Sequence, residues 1–240
     1  MKTDRHIVAT SGGFRPNDRW GWDVGPLVRY ALDLSGADSP RLCYLGTATG
    51  DDPARTAQVY AACARAGIGA SHLALFPMPN VADIGAHLRD HDVIWVGGGS
   101  VANLLSLWRL HGVDVAMRDA WEAGVVMGGV SAGSICWHVG GTTDSFGPDL
   151  RAVTDALGFL PFSNGVHYDS EEQRRPLFQS LIAGGTLPSG FATDDGAGLH
   201  YGGTEMVDAL CDRESASAWW IERTPDGSAV ETKVDTRLLR

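Results

Sequence analysis

Apolar and polar positions alternate between two rhythms along the first 140 residues. Short, almost uninterrupted apolar runs at 6–10, 41–45, 71–76, 92–96 and 125–127 read as strands buried on both faces. Between the first two, Val24, Leu27, Val28, Ala31, Leu32 and Leu34 recur at helical spacing and predict a helix with one face on a sheet. Pro53 opens an alanine-rich helix over 54–66 that Gly67 stops, and a short helix is expected over 81–89. Val101, Leu104, Leu105, Leu107 and Trp108 place a helix after Ser100, and a further one spans 113–123. This alternation predicts an α/β fold: a mostly parallel, doubly wound sheet with helices on both faces.

Beyond residue 140 the rhythm breaks. Residues 140–148 read as loop or short strand, 157–160 as a short apolar piece, and 164–169 as a turn. A helix is expected over 171–182, with Pro176 inside its pattern pulling its start toward that proline. Strand candidates over 190–231, separated by Gly-Gly and Pro-Asp-Gly turns, predict antiparallel strands at one edge near the C-terminus. No linker, charge run or internal repeat divides residues 1–240, so a single domain is expected.

Composition narrows the function classes. No apolar run approaches the ~18 residues of a membrane span, and the opening Met-Lys-Thr-Asp-Arg-His carries no apolar leader, so a cytoplasmic protein is expected. Cys43, Cys63, Cys136 and Cys211 lie far apart with no C-x-x-C pair, which predicts reduced thiols and no metal site. His87 and His91 share the i, i+4 spacing of a metal pair, but at the end of a surface helix they read as solvated. The net charge of −10 repels phosphate backbones, so nucleic acid is not an expected partner. Ser11-Gly12-Gly13 is half of a dinucleotide fingerprint whose third glycine and acidic residue are missing, and no nucleotide cofactor is expected.

The chemistry concentrates at two glycine-rich turns. Gly97-Gly-Gly-Ser100 follows a strand end and leaves backbone N–H groups open to a ligand. Gly129-Val-Ser131-Ala-Gly133 has the G-x-S-x-G spacing of a nucleophile elbow, in which Ser131 would sit at the apex between strand and helix. The Ala132 N–H would then point at a developing oxyanion. The same pattern also fits a plain turn before a helix capped at Ser134. An active serine needs a base and an acid. His138, on the helix leaving the serine, would point away, whereas His167 lies in a glycine-bounded loop after a strand, beside Tyr168 and Asp169. For the acid, Asp144 in Thr142-Thr-Asp-Ser145 leads, with Asp149, Asp169, Asp194 and Asp195 as rivals.

Five ordered motifs carry a family resemblance: Val96-Gly-Gly-Gly-Ser-Val-Ala-Asn-Leu104, Gly129-Val-Ser-Ala-Gly-Ser134, Thr143-Asp-Ser-Phe-Gly147, Asn164-Gly-Val-His-Tyr-Asp-Ser-Glu171 and Thr193-Asp-Asp-Gly-Ala-Gly198. Together, over about residues 5–222, they resemble peptidase E, the serine peptidases with a class I glutamine amidotransferase-like fold. The resemblance implies a Ser-His-acid hydrolase of short peptides that needs no cofactor. Ser131 is the implied nucleophile and His167 the general base. Ala132 N–H with an N–H from Gly98 or Gly99 forms the oxyanion hole. The acid matches less closely: the family's aspartyl dipeptidases carry it a little farther on, in an Asn-Asp pair where this chain reads Thr-Asp144, and cyanophycinases, similar in fold, use a glutamate in the region where this chain offers Asp149. A preference for N-terminal aspartate would require a cation, for which Arg174 is the matching candidate. Among the eight tryptophans, Trp20, Trp22, Trp219 and Trp220 supply material for a homodimer interface.

Overall fold

Neighbouring residues of each central strand bury opposite faces, which is why the runs read as continuously apolar. Ile7 and Ala9 of the His6–Thr10 strand pack on one side and Val8 on the other. Cys43 and Leu45 oppose Leu42 and Tyr44 in Arg41–Leu45, and Ile94 and Val96 oppose Val93 and Trp95 in Val93–Val96. Helices therefore cover both faces. Helices Val101–His111 and Val113–Glu122 contribute Leu104, Trp108, Met117 and Trp121 to one layer. Helices Pro26–Leu34 and Pro53–Arg65 contribute Val28, Leu32, Val59 and Cys63 to the other. The computed structural model describes residues 5–240; residues 1–4, most of the stretch read as lacking a leader, lie outside the described residues.

The main sheet has eight strands. Its parallel part runs in the spatial order His6–Thr10, Val126–Val130, Val93–Val96, Arg41–Leu45, Gly69–Leu73. Ala197–Gly202 pairs antiparallel with His6–Thr10, Glu205–Cys211 pairs antiparallel with it in turn, and Arg237–Leu238 closes that edge. A second, six-stranded sheet holds the remainder of the C-terminal half, in the order Ala229–Val234, Ala218–Arg223, Gly190–Thr193, Ser163–Gly165, Gly140–Thr143, Arg151–Val153. Its three inner strands are parallel and its outer pairings antiparallel. The α/β class with C-terminal antiparallel strands is observed. The separate second sheet is not what a single edge of strands would give.

Several boundaries moved for local reasons. The strand expected over 71–76 is Gly69–Leu73, ending before the prolines. The helix expected over 81–89 starts at Ile84, where the Asp83 side chain accepts the Ala86 N–H at 2.8 Å. The helix expected over 171–182 is Arg174–Ala183, with Pro176 in its first turn, where a missing N–H costs nothing. Residues 157–160 form no strand; Phe159 instead stacks on Trp121 with ring centroids 5.2 Å apart. Trp95, Trp108, Trp121 and Trp137 are core side chains. The four cysteines are free and buried. Among the described residues no helix is long and apolar enough to cross a membrane.

Register sets the position of the loops. Val96 lies opposite Gly129 and Thr10 opposite Val130, so residues 11–13, 97–100 and 131 leave the same edge of the main sheet. In the second sheet Gly165 lies opposite Ala192, which sends 166–169 and 194–196 out beside each other. Ile94 is fully buried at the centre of the parallel strands. Ile94→Ala is expected to lower unfolding free energy by about 2–5 kcal/mol, read from chemical denaturation, with an unchanged m-value.

Candidate active site

The turn at 129–133 is fixed by steric crowding. A Cβ added to Gly129 would lie 2.4 Å from the Gly133 carbonyl oxygen, and one added to Gly133 would lie 2.2 Å from that of Val96. Only glycine lets strand and helix approach this closely. Between them Ser131 adopts φ 57° and ψ −113°, a conformation that costs a non-glycine residue on the order of 1–3 kcal/mol and persists only where its surroundings enforce it. Its N–H donates to Thr10 O at 3.0 Å, and its carbonyl accepts from the N–H groups of Ser134 and Ile135 at 2.8 and 2.9 Å. The Ser131 side chain makes no capping bond to the helix, and Ser134 is occupied elsewhere, donating to Asn164 Oδ1 at 2.8 Å. The plain-turn reading of the motif therefore fails on geometry.

Bare amides surround the hydroxyl. Gly97 N–H donates to Leu45 O and Ser100 N–H to Ala48 O, leaving the two N–H groups between them, those of Gly98 and Gly99, without a backbone acceptor among the described residues. Ala132 is the first residue of its helix, so its N–H has no intrahelical partner. Gly98 is adjacent to the serine: a Cβ there would lie 3.2 Å from Ser131 Cβ and 3.8 Å from Ser131 Oγ. The Ser100 side chain caps the next helix through Asn103 N–H at 3.2 Å, which steadies the glycine turn from behind.

His167 reaches the same place from the second sheet. It too has a left-handed backbone, φ 52°, and its N–H donates to Ser11 Oγ at 3.1 Å. Ser11 Oγ in turn donates to Thr193 O at 3.1 Å and lies 2.7 Å from Thr193 Oγ1. The His167 ring places Nδ1 2.5 Å from Asp195 Oδ1, which puts the Nδ1 proton between them and leaves Nε2 as the free nitrogen. Asp195 is itself braced: its N–H donates to Asp169 Oδ1 at 2.8 Å, its carbonyl accepts from Arg213 Nε at 2.5 Å, and Arg213 holds Asp169 Oδ2 at 2.6 Å.

Asp144 does not contact His167. It is exposed and lines a different surface cavity, with Pro148, Glu171, Glu172 and Gln173. The reason is strand order. The 163–165 strand lies between Gly140–Thr143, which ends in Asp144, and Gly190–Thr193, which ends in Asp194 and Asp195, and the ring turns toward the latter. Asp149 is exposed as well. Asp194 faces the other way from Asp195, accepting from Ser217 N–H and Trp219 Nε1 at 3.0 Å each, and burial pushes its carboxyl above the usual range. Arg174 is also displaced from its expected place. It is only 2% exposed, and its guanidinium donates to Glu171 at 2.7 Å and to the Thr142 carbonyl at 2.6 Å, clamping helix to strand.

Ser131, His167 and Gly97 to Gly99 line one cavity of about 340 Å³. Its remaining wall comes from Gly12, Gly13, Phe14, Trp22, Tyr44, Trp95, Val130 and Arg55. Phe14 and Trp22 stack, with centroids 6.1 Å apart, beside its mouth. Sequence reasoning read Ser11 only as part of a half dinucleotide fingerprint and did not single out Phe14, Tyr44 or Arg55. The only available signal was that Ser11 and Phe14 flank a glycine pair at a strand end. His138 is enclosed beneath the elbow helix, donating from Nδ1 to Ser134 O at 2.9 Å and lying 3.2 Å from Tyr201 Oη through Nε2, away from the serine as its spacing implied.

Comparison with known proteins points to one family and fold. Residues 9–208 match the family model for Peptidase family S51. The uncharacterized peptidase YgaJ of Bacillus subtilis (strain 168) is 40% identical over 221 residues, covering 90% of this chain and 92% of the relative. Peptidase E of Shewanella denitrificans is 34% identical over 84 residues, 35% of this chain and 36% of the relative. Two crystal structures share the fold. A putative peptidase E protein from Listeria monocytogenes EGD-e has a TM-score of 0.62 at 17% identity over 87% of this chain and 98% of its own. A peptidase from an acI-B1 Actinobacterium has a TM-score of 0.68 at 13% identity over 98% and 96%.

Burial lowers the His138 imidazole from 6.5 to about 4, so the folded protein holds it neutral. Below pH 6.5 the unfolded chain takes up this proton first, so the stabilisation is complete above 6.5 and is lost as pH falls toward 4. The thermal midpoint is expected to decline across that window, and His138→Gln to flatten part of the slope; circular dichroism melts at stepped pH check this.

Proposed function

We propose that this chain, which belongs to peptidase family S51 and is a serine-type peptidase, cleaves short peptides by acyl transfer through Ser131, with His167 as general base and Asp195 as the acid. The observation that carries the reading is the Asp195–His167 pair opening onto the cavity that also holds a serine in a strained turn. In the first step Ser131 Oγ attacks the scissile carbonyl carbon while its proton passes to His167 Nε2. The negative charge that develops on the carbonyl oxygen is met by the free N–H groups of Ala132 and of Gly98 or Gly99, donors already fixed in position before reaction. The imidazolium, held through Nδ1 by Asp195, then gives the proton to the leaving amine as the C–N bond breaks. Water then gives a proton to the same nitrogen as it attacks the acyl carbon, and the imidazolium returns that proton to Oγ as the ester C–O bond breaks and the acid product leaves.

The size and lining of the cavity support a small substrate. A volume near 340 Å³, walled by Phe14 and Trp22, suits a very short peptide better than an extended chain. Arg55 is the one guanidinium in its lining, and its side chain, half exposed, lies 3.9 Å from Asp52, a weak pairing that leaves it able to take a second carboxylate. A preference for an acidic side chain or terminal carboxylate in the substrate is thus assigned to Arg55 rather than Arg174.

Ser131→Ala should reduce kcat/KM on a dipeptide or aminoacyl-nitroanilide panel by at least about 10⁴-fold with an unchanged melting midpoint. Asp195→Asn should lower kcat by about 10³–10⁴-fold through the wrong imidazole tautomer, while Asp144→Asn stays within about twofold of wild type. The reverse pattern would return the acid to Asp144. Arg55→Ala should lower kcat/KM for N-terminal aspartyl dipeptides by about tenfold or more, and leave neutral dipeptides nearly unaffected, in a competition assay read by mass spectrometry.

A further inference from the structure

On the opposite face of the Arg41–Leu45 strand from the cavity wall, three metal-ligating side chains converge. Tyr44 faces the cavity; Cys43, its neighbour in the chain, points to the other side. There the Cys43 Sγ lies 3.6 Å from His87 Nε2, and the ligand atoms of Cys43, His87 and His91 all lie within 4.8 Å of one another. Cys43 is fully buried, His91 nearly so and His87 half-buried. The two histidines, read from sequence as solvated, come from the Ile84–Arg89 helix and the turn after it. That helix packs mainly against helix Val113–Glu122, and His87 turns from it toward the sheet edge.

We propose that Cys43, His87 and His91 bind a zinc ion, with Ser71 Oγ or a water in the fourth position. Tetrahedral zinc, with metal–sulfur and metal–nitrogen bonds of about 2.3 and 2.0–2.1 Å, holds its ligand atoms about 3.3–3.6 Å apart. The Cys43–His87 separation already has that value, and the widest gap in the trio closes by no more than about 1.5 Å. Ser71 Oγ sits among them, 3.4 Å from His87 Nε2 and 2.6 Å from His91 Nε2. The orientation of His91 is set from behind: its Nδ1 donates to the His87 carbonyl at 2.7 Å, which turns the Nε2 lone pair into the cluster, the arrangement that outer-shell bonds impose on metal-binding imidazoles. One soft thiolate with two imidazoles is a donor set suited to zinc and poorly suited to magnesium or calcium. None of the four residues lines the cavity that holds Ser131. The ion would tie the helix to the two outermost parallel strands and take no part in peptide cleavage.

The test uses the full chain, freed of metal by chelator and titrated with cobalt(II) and then zinc. One equivalent of cobalt is expected to produce a thiolate-to-metal charge-transfer band that zinc abolishes, and zinc is expected to raise the thermal midpoint. Cys43→Ser should remove the band. His87→Gln, at a half-buried position, should weaken zinc binding by at least tenfold and remove the midpoint shift, and it serves where Cys43→Ser does not fold. Ser131→Ala should bind cobalt as wild type does, which separates this site from the proposed catalytic one. Absence of the band in wild type, its persistence in Cys43→Ser, or equal zinc affinity in wild type and His87→Gln would overturn the proposal.

Discussion

A buried hydroxyl links the two sheets where Ser131 and His167 line one cavity. Ser11, at the end of the first strand, bonds through its backbone to Ala197 and Gly196, and through its Oγ to His167 N–H and to Thr193. With only 4% exposure it is shielded from competition with water, so these bonds are stronger than exposed ones would be. Ser131 is anchored to the same strand end one residue earlier, through Thr10 O. The serine side and the imidazole side of the site are therefore both referenced to residues 10 and 11.

Strain and packing act together at the elbow. The unfavourable angles of Ser131 survive because the glycines on each side permit the helix to press against Val96, and because the large buried cluster beneath, with Ala132, Ile135 and Trp137, stabilises the strand–turn–helix unit far more than the turn costs it. His167 shows the same pattern on the smaller sheet, where a left-handed residue is pinned by a hydrogen bond at its N–H and another at its ring. Ser131 and His167 thus both stand at constrained backbone positions supplied by strand ends, where ligand crevices open in an α/β sheet.

Local signals in the chain were enough to find what local physics decides. The parallel strands were visible because burial on both faces leaves no polar positions, and the elbow was visible because crowding there demands glycines at fixed spacing. Which carboxylate pairs with His167 was not visible. Asp144 and Asp195 each follow a strand that neighbours the strand of His167, and only the strand order and the direction in which the ring turns separate them. Arg174 misled for a related reason: a cation a short distance after the histidine is compatible with either a substrate contact or a clamp, and its burial against Thr142 O becomes apparent only once the second sheet exists. Likewise Cys43, His87 and His91 are brought together by the tertiary placement of a short helix beside a strand, which no spacing rule between a lone cysteine and two histidines encodes.

The division of labour between the sheets has a mechanical corollary. Imidazole and carboxylate stand at the end of one sheet and the hydroxyl and the bare amides at the end of the other, with one apolar core filling the space between the two. For the proposed reaction, the packing between the layers therefore sets the alignment of hydroxyl and imidazole as much as either layer does.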